Sequence, residues 1–447
     1  MAKILIRNAT IINEGRKFKG NVLINNEIIE KIYEEPLADS IYEGTVIDAK
    51  DKILIPGVID DHVHFREPGL THKADIASES RASVAGGVTS FMDMPNTDPQ
   101  TITQDLLEEK YRIAEKSSLA NYSFYIGATD SNLKELLKIN PREVCGIKIF
   151  MGSSTGNMLV SNVNTLKDIY SQSGVVIAAH CEDEDTIVRN IKKYKKEYGQ
   201  NIHARYHPLI RSTEACYKSS SLAVKLALKY NTRLHILHVS TGKELKLFSG
   251  GIPAAEKRIT SEVSIHHLWF SDSDYETLGT RIKCNPAIKS DNDREALFKA
   301  MLEGKIDVVG TDHAPHTIIE KNSSYFKAAS GLPMIQHSLL AMLEFYHQGR
   351  ITLEKIVEKM CHAPADIFQV EKRGYIREGY WADLVLVDIN HKWEVTSENI
   401  LYKCKWSPFE NVIFHSDVSH TFVNGNLVYR EGNIIESSPG KRLLFVR

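Results

Sequence analysis

The chain has 447 residues, 42% hydrophobic and 25% charged, the balance of an ordinary globular protein. Its 55 lysines and arginines against 57 aspartates and glutamates give a net charge of −2, which excludes a global electrostatic pull toward nucleic acid or anionic membrane. No run approaches the roughly 18 apolar residues of a membrane span, Lys3 and Arg7 interrupt the first apolar stretch, and six scattered cysteines lack any CxxC pair; reduced thiols in a cytoplasmic protein are the expectation.

Residues 1–55 read as short strands: Ile4-Leu5-Ile6, Thr10-Ile11-Ile12 and Asn21-Val22-Leu23-Ile24, with a turn at Asn25-Asn26. The pattern then changes. Apolar runs at 58–64, 88–94, 122–127, 146–150, 175–180, 234–239, 259–263 and 306–310 are nearly continuous, as in strands buried on both faces. Helical patterns separate them, for example at 106–115, 213–229 and 291–302. Eight such units predict a closed (β/α)₈ barrel over residues 56–371. Strand patterns return at 382–388 and 421–429, the latter holding an Asn424-Gly425 hairpin signal. The two ends, 1–55 and 372–447, are expected to build one small β-sandwich domain.

Chemistry-bearing residues gather at the carboxyl ends of the predicted barrel strands. His62 and His64 are two apart, so a strand sends both imidazoles into the barrel mouth. Lys148 ends the fourth strand, His180 the fifth and His238 the sixth, and Asp312 follows the eighth. Barrels of this kind place their active sites on that face, and such nitrogen and carboxylate donors suit zinc. Lys148 lies in the apolar run Gly146-Ile147-Lys148-Ile149-Phe150, where an unmodified charge is unfavourable. It is either paired with a buried acid or neutral enough to react with carbon dioxide and give a carbamate able to bridge two metals.

Five segments carry a family resemblance: Pro56-Gly57-Val58-Ile59-Asp60-Asp61-His62-Val63-His64, Gly146-Ile147-Lys148, Ala179-His180-Cys181-Glu182, His238-Val239-Ser240-Thr241 and Gly310-Thr311-Asp312-His313-Ala314-Pro315-His316. Through them the chain resembles the amidohydrolase superfamily, in its dihydroorotase, hydantoinase and allantoinase group. The resemblance implies two Zn²⁺ per subunit, with His62, His64 and Asp312 on one and His180 and His238 on the other. Carboxylated Lys148 and a hydroxide would bridge them, and Asp312 would carry the proton to the leaving amide nitrogen. A homodimer is implied as well.

Arg66, two residues past His64, faces the same cavity and suits a carboxylate. With Asn96, Asn285 and His316 it is similar to the substrate-binding set of the dihydroorotase branch, which implies L-dihydroorotate and N-carbamoyl-L-aspartate as the reacting pair in pyrimidine biosynthesis. A dihydropyrimidinase, hydantoinase or allantoinase-like activity is the alternative, and a non-catalytic scaffold a more distant one. His203, His207, His266, His267 and His313 are expected to be structural, as is His235, set on the strand face opposite His238. The polar stretch Lys321-Asn322-Ser323-Ser324 reads as part of a mobile lid between His316 and Gly331.

Overall fold

The computed structural model describes residues 3–35, 44–152, 158–436 and 440–447. Among these, eight parallel strands form the barrel. They are β1 (Val58–Val63), β2 (Val88–Asp93), β3 (Asn121–Phe124, continued by Ile126–Gly127), β4 (Ile147–Phe150), β5 (Ile177–His180), β6 (Leu234–Ile236), β7 (Ile259–Ser264) and β8 (Val308–Gly310). A break at Tyr125 splits the hydrogen bonding into two arcs, one from β1 to β3 and one from β3 to β8. The ring closes where the His64 N–H donates to His313 O at 2.7 Å. Thr311 Oγ1 reinforces that seam by donating to Asp60 Oδ2 at 2.6 Å.

The apolar runs form strands because both of their faces are covered. Side chains pointing inward, among them Ile59, Met92, Tyr125, Ala178, Leu237 and Val308, fill the barrel's interior as one cluster. Outward ones pack on the surrounding helices in a larger cluster. The helices begin at side-chain caps that satisfy their free N–H groups, such as Thr103 before Gln104–Ser117 and Ser212 before Thr213–Tyr230.

Both chain ends meet in one nine-stranded mixed sheet. Its seam is Ile53–Pro56, which runs parallel to Lys3–Asn13 and antiparallel to Leu384–Asp388. The hairpin at Asn424-Gly425 forms as expected: Val423 pairs with Asn426, and both turn residues have positive φ, 49° and 75°. This β domain has its own apolar cluster, built from Ile6, Ile11, Val22, Leu54 and Leu384 with their neighbours.

Candidate active site

The predicted cluster comes together at the barrel mouth. A single buried pocket is lined by His62, His64, Arg66, Asn96, Lys148, His180, His238, Asn285, Asp312 and His316, with Phe150, Ala314, Ser330 and Gly331 completing the wall. Beyond Arg66, Asn96 and His316 the space continues into an outer cavity of about 470 Å³, bounded by Leu70, Ile102 and Leu106.

Donor atoms converge as two groups. His62 Nε2 and His64 Nε2 stand 3.3 and 3.1 Å from Asp312 Oδ1. His180 Nδ1 and His238 Nε2 stand 2.9 Å apart. Two tetrahedral zinc ligands lie about 3.3 Å from each other at ordinary Zn–N lengths, so both groups have the spacing of a metal site. Lys148 is fully buried, its Nζ 4.7 Å from the Phe150 ring centroid. It makes no ion pair among the described residues, so the paired-lysine alternative has no partner here. Burial lowers its pKa to about 8. Burial also holds the four imidazoles below their ordinary value, which leaves them neutral and fit to ligate.

A second layer aims these donors. His62 Nδ1 lies 3.1 and 3.2 Å from the two oxygens of Glu262, so Nε2 carries the lone pair. His64 Nδ1 is held by Asn96 Oδ1 at 2.7 Å, which gives Asn96 a role in orienting a ring as well as in lining the pocket. His180 is turned the other way: Glu182 takes Nε2 at 3.0 Å, leaving Nδ1 for the cavity. Burial would raise the Glu182 carboxyl, but the Arg211 guanidinium and His180 hold it at about 2. The Phe65 N–H donates to Asp93 Oδ1 at 2.8 Å, and Asp93 is paired with buried Lys110 at 2.6 Å. That buried pair fixes the segment running from His64 to Arg66.

Sequence reading missed Glu262, Glu182 and Asp93 as supports. The signal was an acidic residue inside or at the end of an apolar strand run. His235 needs a correction as well. It sits beneath the site, Nε2 3.0 Å from Asp61 Oδ2 and close to Glu262, and not on the outer strand face. Alternation fails because β6 ends at Ile236 and His238 has φ 38°, a left-handed residue that turns its side chain back inward. The His266 and His267 rings are 4.3 Å apart beside Cys284. There, His267 Nε2 and the Cys284 thiol both donate to Pro286 O, at 3.1 and 3.2 Å. His207 and His313 are structural as expected, His207 against Tyr325 and His313 against Glu79.

Arg66 is 6% exposed and has φ 68°. Its Nε donates to Pro315 O at 3.1 Å, and no carboxylate pairs with it among the described residues. Burial pulls its pKa down to about 10. The neighbouring His316 has Lys73 Nζ 3.2 Å from its Nδ1, and both Arg66 Nη2 and Ser330 O 3.1 Å from its Nε2. Burial, with the Arg66 cation adding to it, lowers His316 to about 3, so the ring stays neutral.

Residues 53–428 match the model of the Amidohydrolase family. The chain is 32% identical over 435 residues to the dihydroorotase of Methanosphaera stadtmanae, spanning 97% of this chain and 98% of that protein. It is 34% identical over 413 residues to the dihydroorotase of Halobacterium salinarum, spanning 90% and 93%. Among solved structures, the L-hydantoinase (dihydropyrimidinase) of Arthrobacter aurescens superposes with a TM-score of 0.92 at 26% identity, over 99% of this chain and all of that one.

Proposed function

The chain belongs to the amidohydrolase family, and from its site we propose that it is a dihydroorotase, interconverting L-dihydroorotate plus water with N-carbamoyl-L-aspartate. The observation that carries this reading is Arg66. A guanidinium buried at the pocket wall without a carboxylate of its own is matched to a substrate that brings one. A hydantoin or dihydrouracil ring has no such group to offer.

In this reading His62, His64 and Asp312 would hold one Zn²⁺ and His180 and His238 a second, with Lys148, as its carbamate, supplying a carboxylate to the pair. Bound there, the metal pair supplies the positive charge that acidifies a water and polarises the ring carbonyl. Asp312 receives the proton released as that water attacks and passes it to the departing amide nitrogen. Arg66 and Asn96 orient the substrate carboxylate, while neutral His316 and Asn285 bound the ring. Glu262, Asn96 and Glu182 keep three imidazoles in the tautomers that ligation needs.

The same reading takes the protein as a cytoplasmic homodimer acting in pyrimidine biosynthesis, and light scattering on the purified protein tests the dimer. The deciding experiment is turnover of L-dihydroorotate, dihydrouracil and hydantoin by the zinc-loaded protein. Release of N-carbamoyl-aspartate must dominate. A preference for either uncharged ring assigns the hydantoinase activity instead, and zinc-replete protein inert toward all three points to a scaffold.

A further inference from the structure

The stretch between His316 and Gly331, expected to be a polar lid, is tied down by two buried lysines. Lys321 ends the short helix Ile318–Lys321 and is fully buried. Its ammonium donates to the carbonyls of Lys283 at 2.8 Å, Ala329 at 3.0 Å and Gly331 at 2.9 Å. An ammonium has three N–H donors, so the set is complete. Lys283 does the same nearby, donating to Tyr325 O at 2.8 Å and Ala328 O at 2.5 Å. Glu320, the adjacent acid, is engaged with Lys73 at 2.9 Å. A buried ammonium met only by carbonyls is tolerated when every donor is used, and a methionine would fill the volume with no such requirement. The lysine is therefore doing something that packing does not ask for.

The three acceptors share one property: they belong to the two loops that wall the pocket. Ala329 and Gly331 flank Ser330, and Ser330 and Gly331 line the pocket beside His316. Lys283 leads into Cys284 and Asn285, and Asn285 lines the same pocket. The Lys283 carbonyl is the joint, because it also accepts from the Gly331 N–H at 2.9 Å. Gly331 has φ +144°, and a Cβ there would stand 2.5 Å from Ala314 O, so the wall has little freedom to re-form elsewhere. The Trp406 ring lies 5.9 Å from the ammonium and donates its own N–H to His316 O at 2.7 Å.

We propose that Lys321 is a positioning residue for the substrate: its ammonium locks the Ser330–Gly331 wall to the Asn285 wall and so sets affinity for the ring, while touching neither substrate nor metal. The substrate half of this rests on the dihydroorotase reading; the locking of the loops does not.

The test is Lys321→Met in the full-length, zinc-loaded protein. KM for L-dihydroorotate should rise by about tenfold or more, the order expected for carbonyls left without donors, while kcat stays within about threefold. Zinc content should not change. Amide exchange in peptides covering 280–288 and 326–334 should quicken while that of the barrel strands stays as in the wild type. Lys321→Arg, which keeps the charge and donors, should recover part of both effects. Unchanged exchange overturns the proposal, as does a loss of kcat and zinc with KM unaltered, which would make Lys321 a packing residue. If the methionine variant does not fold, Lys321→Gln, with two donors left, is read in the same way. A wild type that ignores dihydroorotate refutes the substrate reading, and the exchange result still decides whether the lysine locks the loops.

Discussion

Replacing Arg66 with methionine separates the proposed activity from that of its relatives. The side chain is 6% exposed and carries a positive charge whose Nε donates to Pro315 O and whose Nη2 lies 3.1 Å from His316 Nε2, with no acid beside it among the described residues. In the free enzyme that charge is a burden, so Arg66→Met should leave the melting temperature unchanged or raise it. With substrate bound the balance reverses, because the carboxylate now enters a buried site without its cation. Breaking such a pair costs about 2–5 kcal/mol, which at roughly 1.4 kcal/mol per tenfold is a loss of about 30- to 4,000-fold in kcat/KM. Zinc content should stay at the wild-type level, since Arg66 holds no donor atom of either group. Arg66→Lys should recover only part, because an ammonium cannot make two parallel bonds to a carboxylate. The assay is release of N-carbamoyl-aspartate, with zinc analysis and thermal unfolding on the same preparations. Dihydroorotate turnover within a few-fold of wild type in Arg66→Met would refute the reasoning, and so would a stability loss that accounts for the fall in activity.

Asp312→Asn should keep partial zinc binding through its amide oxygen yet lose about 10²–10⁴ in kcat, the worth of a general acid–base group; near-normal turnover moves proton transfer to another residue. Glu262→Gln should weaken zinc binding by about 10–100-fold in a chelator competition, because the acceptor that fixes His62 Nδ1–H is degraded; unchanged affinity would remove Glu262 from the site's support. Lys148 should form its carbamate only as the neutral amine. With its pKa lowered to about 8 in the metal-free protein, reconstitution with zinc at constant dissolved carbon dioxide should slow as pH falls below 8 and level off above it. A flat profile, or full zinc binding by Lys148→Met, would argue against the carbamate.

Much of the architecture was legible because it rests on local rules. Strands buried on both faces write themselves as unbroken apolar runs, and the eight runs read from residues 58 to 310 correspond to β1–β8. Asn424-Gly425 specified its turn through backbone conformations that few other residues adopt at low energy. The helix at 291–302 could be read from its pattern, and Ser290 caps it through the Asp293 N–H. Most of the site's roster was legible too, since His62, His64, His180, His238 and Asp312 fall at or just past strand ends, whereas Lys148, expected to end the fourth strand, is the second residue of β4. A parallel barrel delivers those ends to one face whatever the loops do.

What the sequence could not carry was orientation between distant segments. Glu262 meets His62 across 200 positions, and His316 meets Arg66 across 250; no local pattern encodes such contacts. Lys321 looked like a solvated loop residue because charge next to asparagine and serine usually is one. It is buried because three carbonyls from 283, 329 and 331 happen to converge where its helix ends. Strain was hidden as well. Arg66, His238 and Asp312 have φ of 68°, 38° and 46°, a region unfavourable for their side chains, and it is this twist that turns them out of strand alternation into the pocket. Periodicity determined which residues stand at the barrel's mouth; only the packed chain could hold them in an uphill backbone conformation and decide which way each one faces.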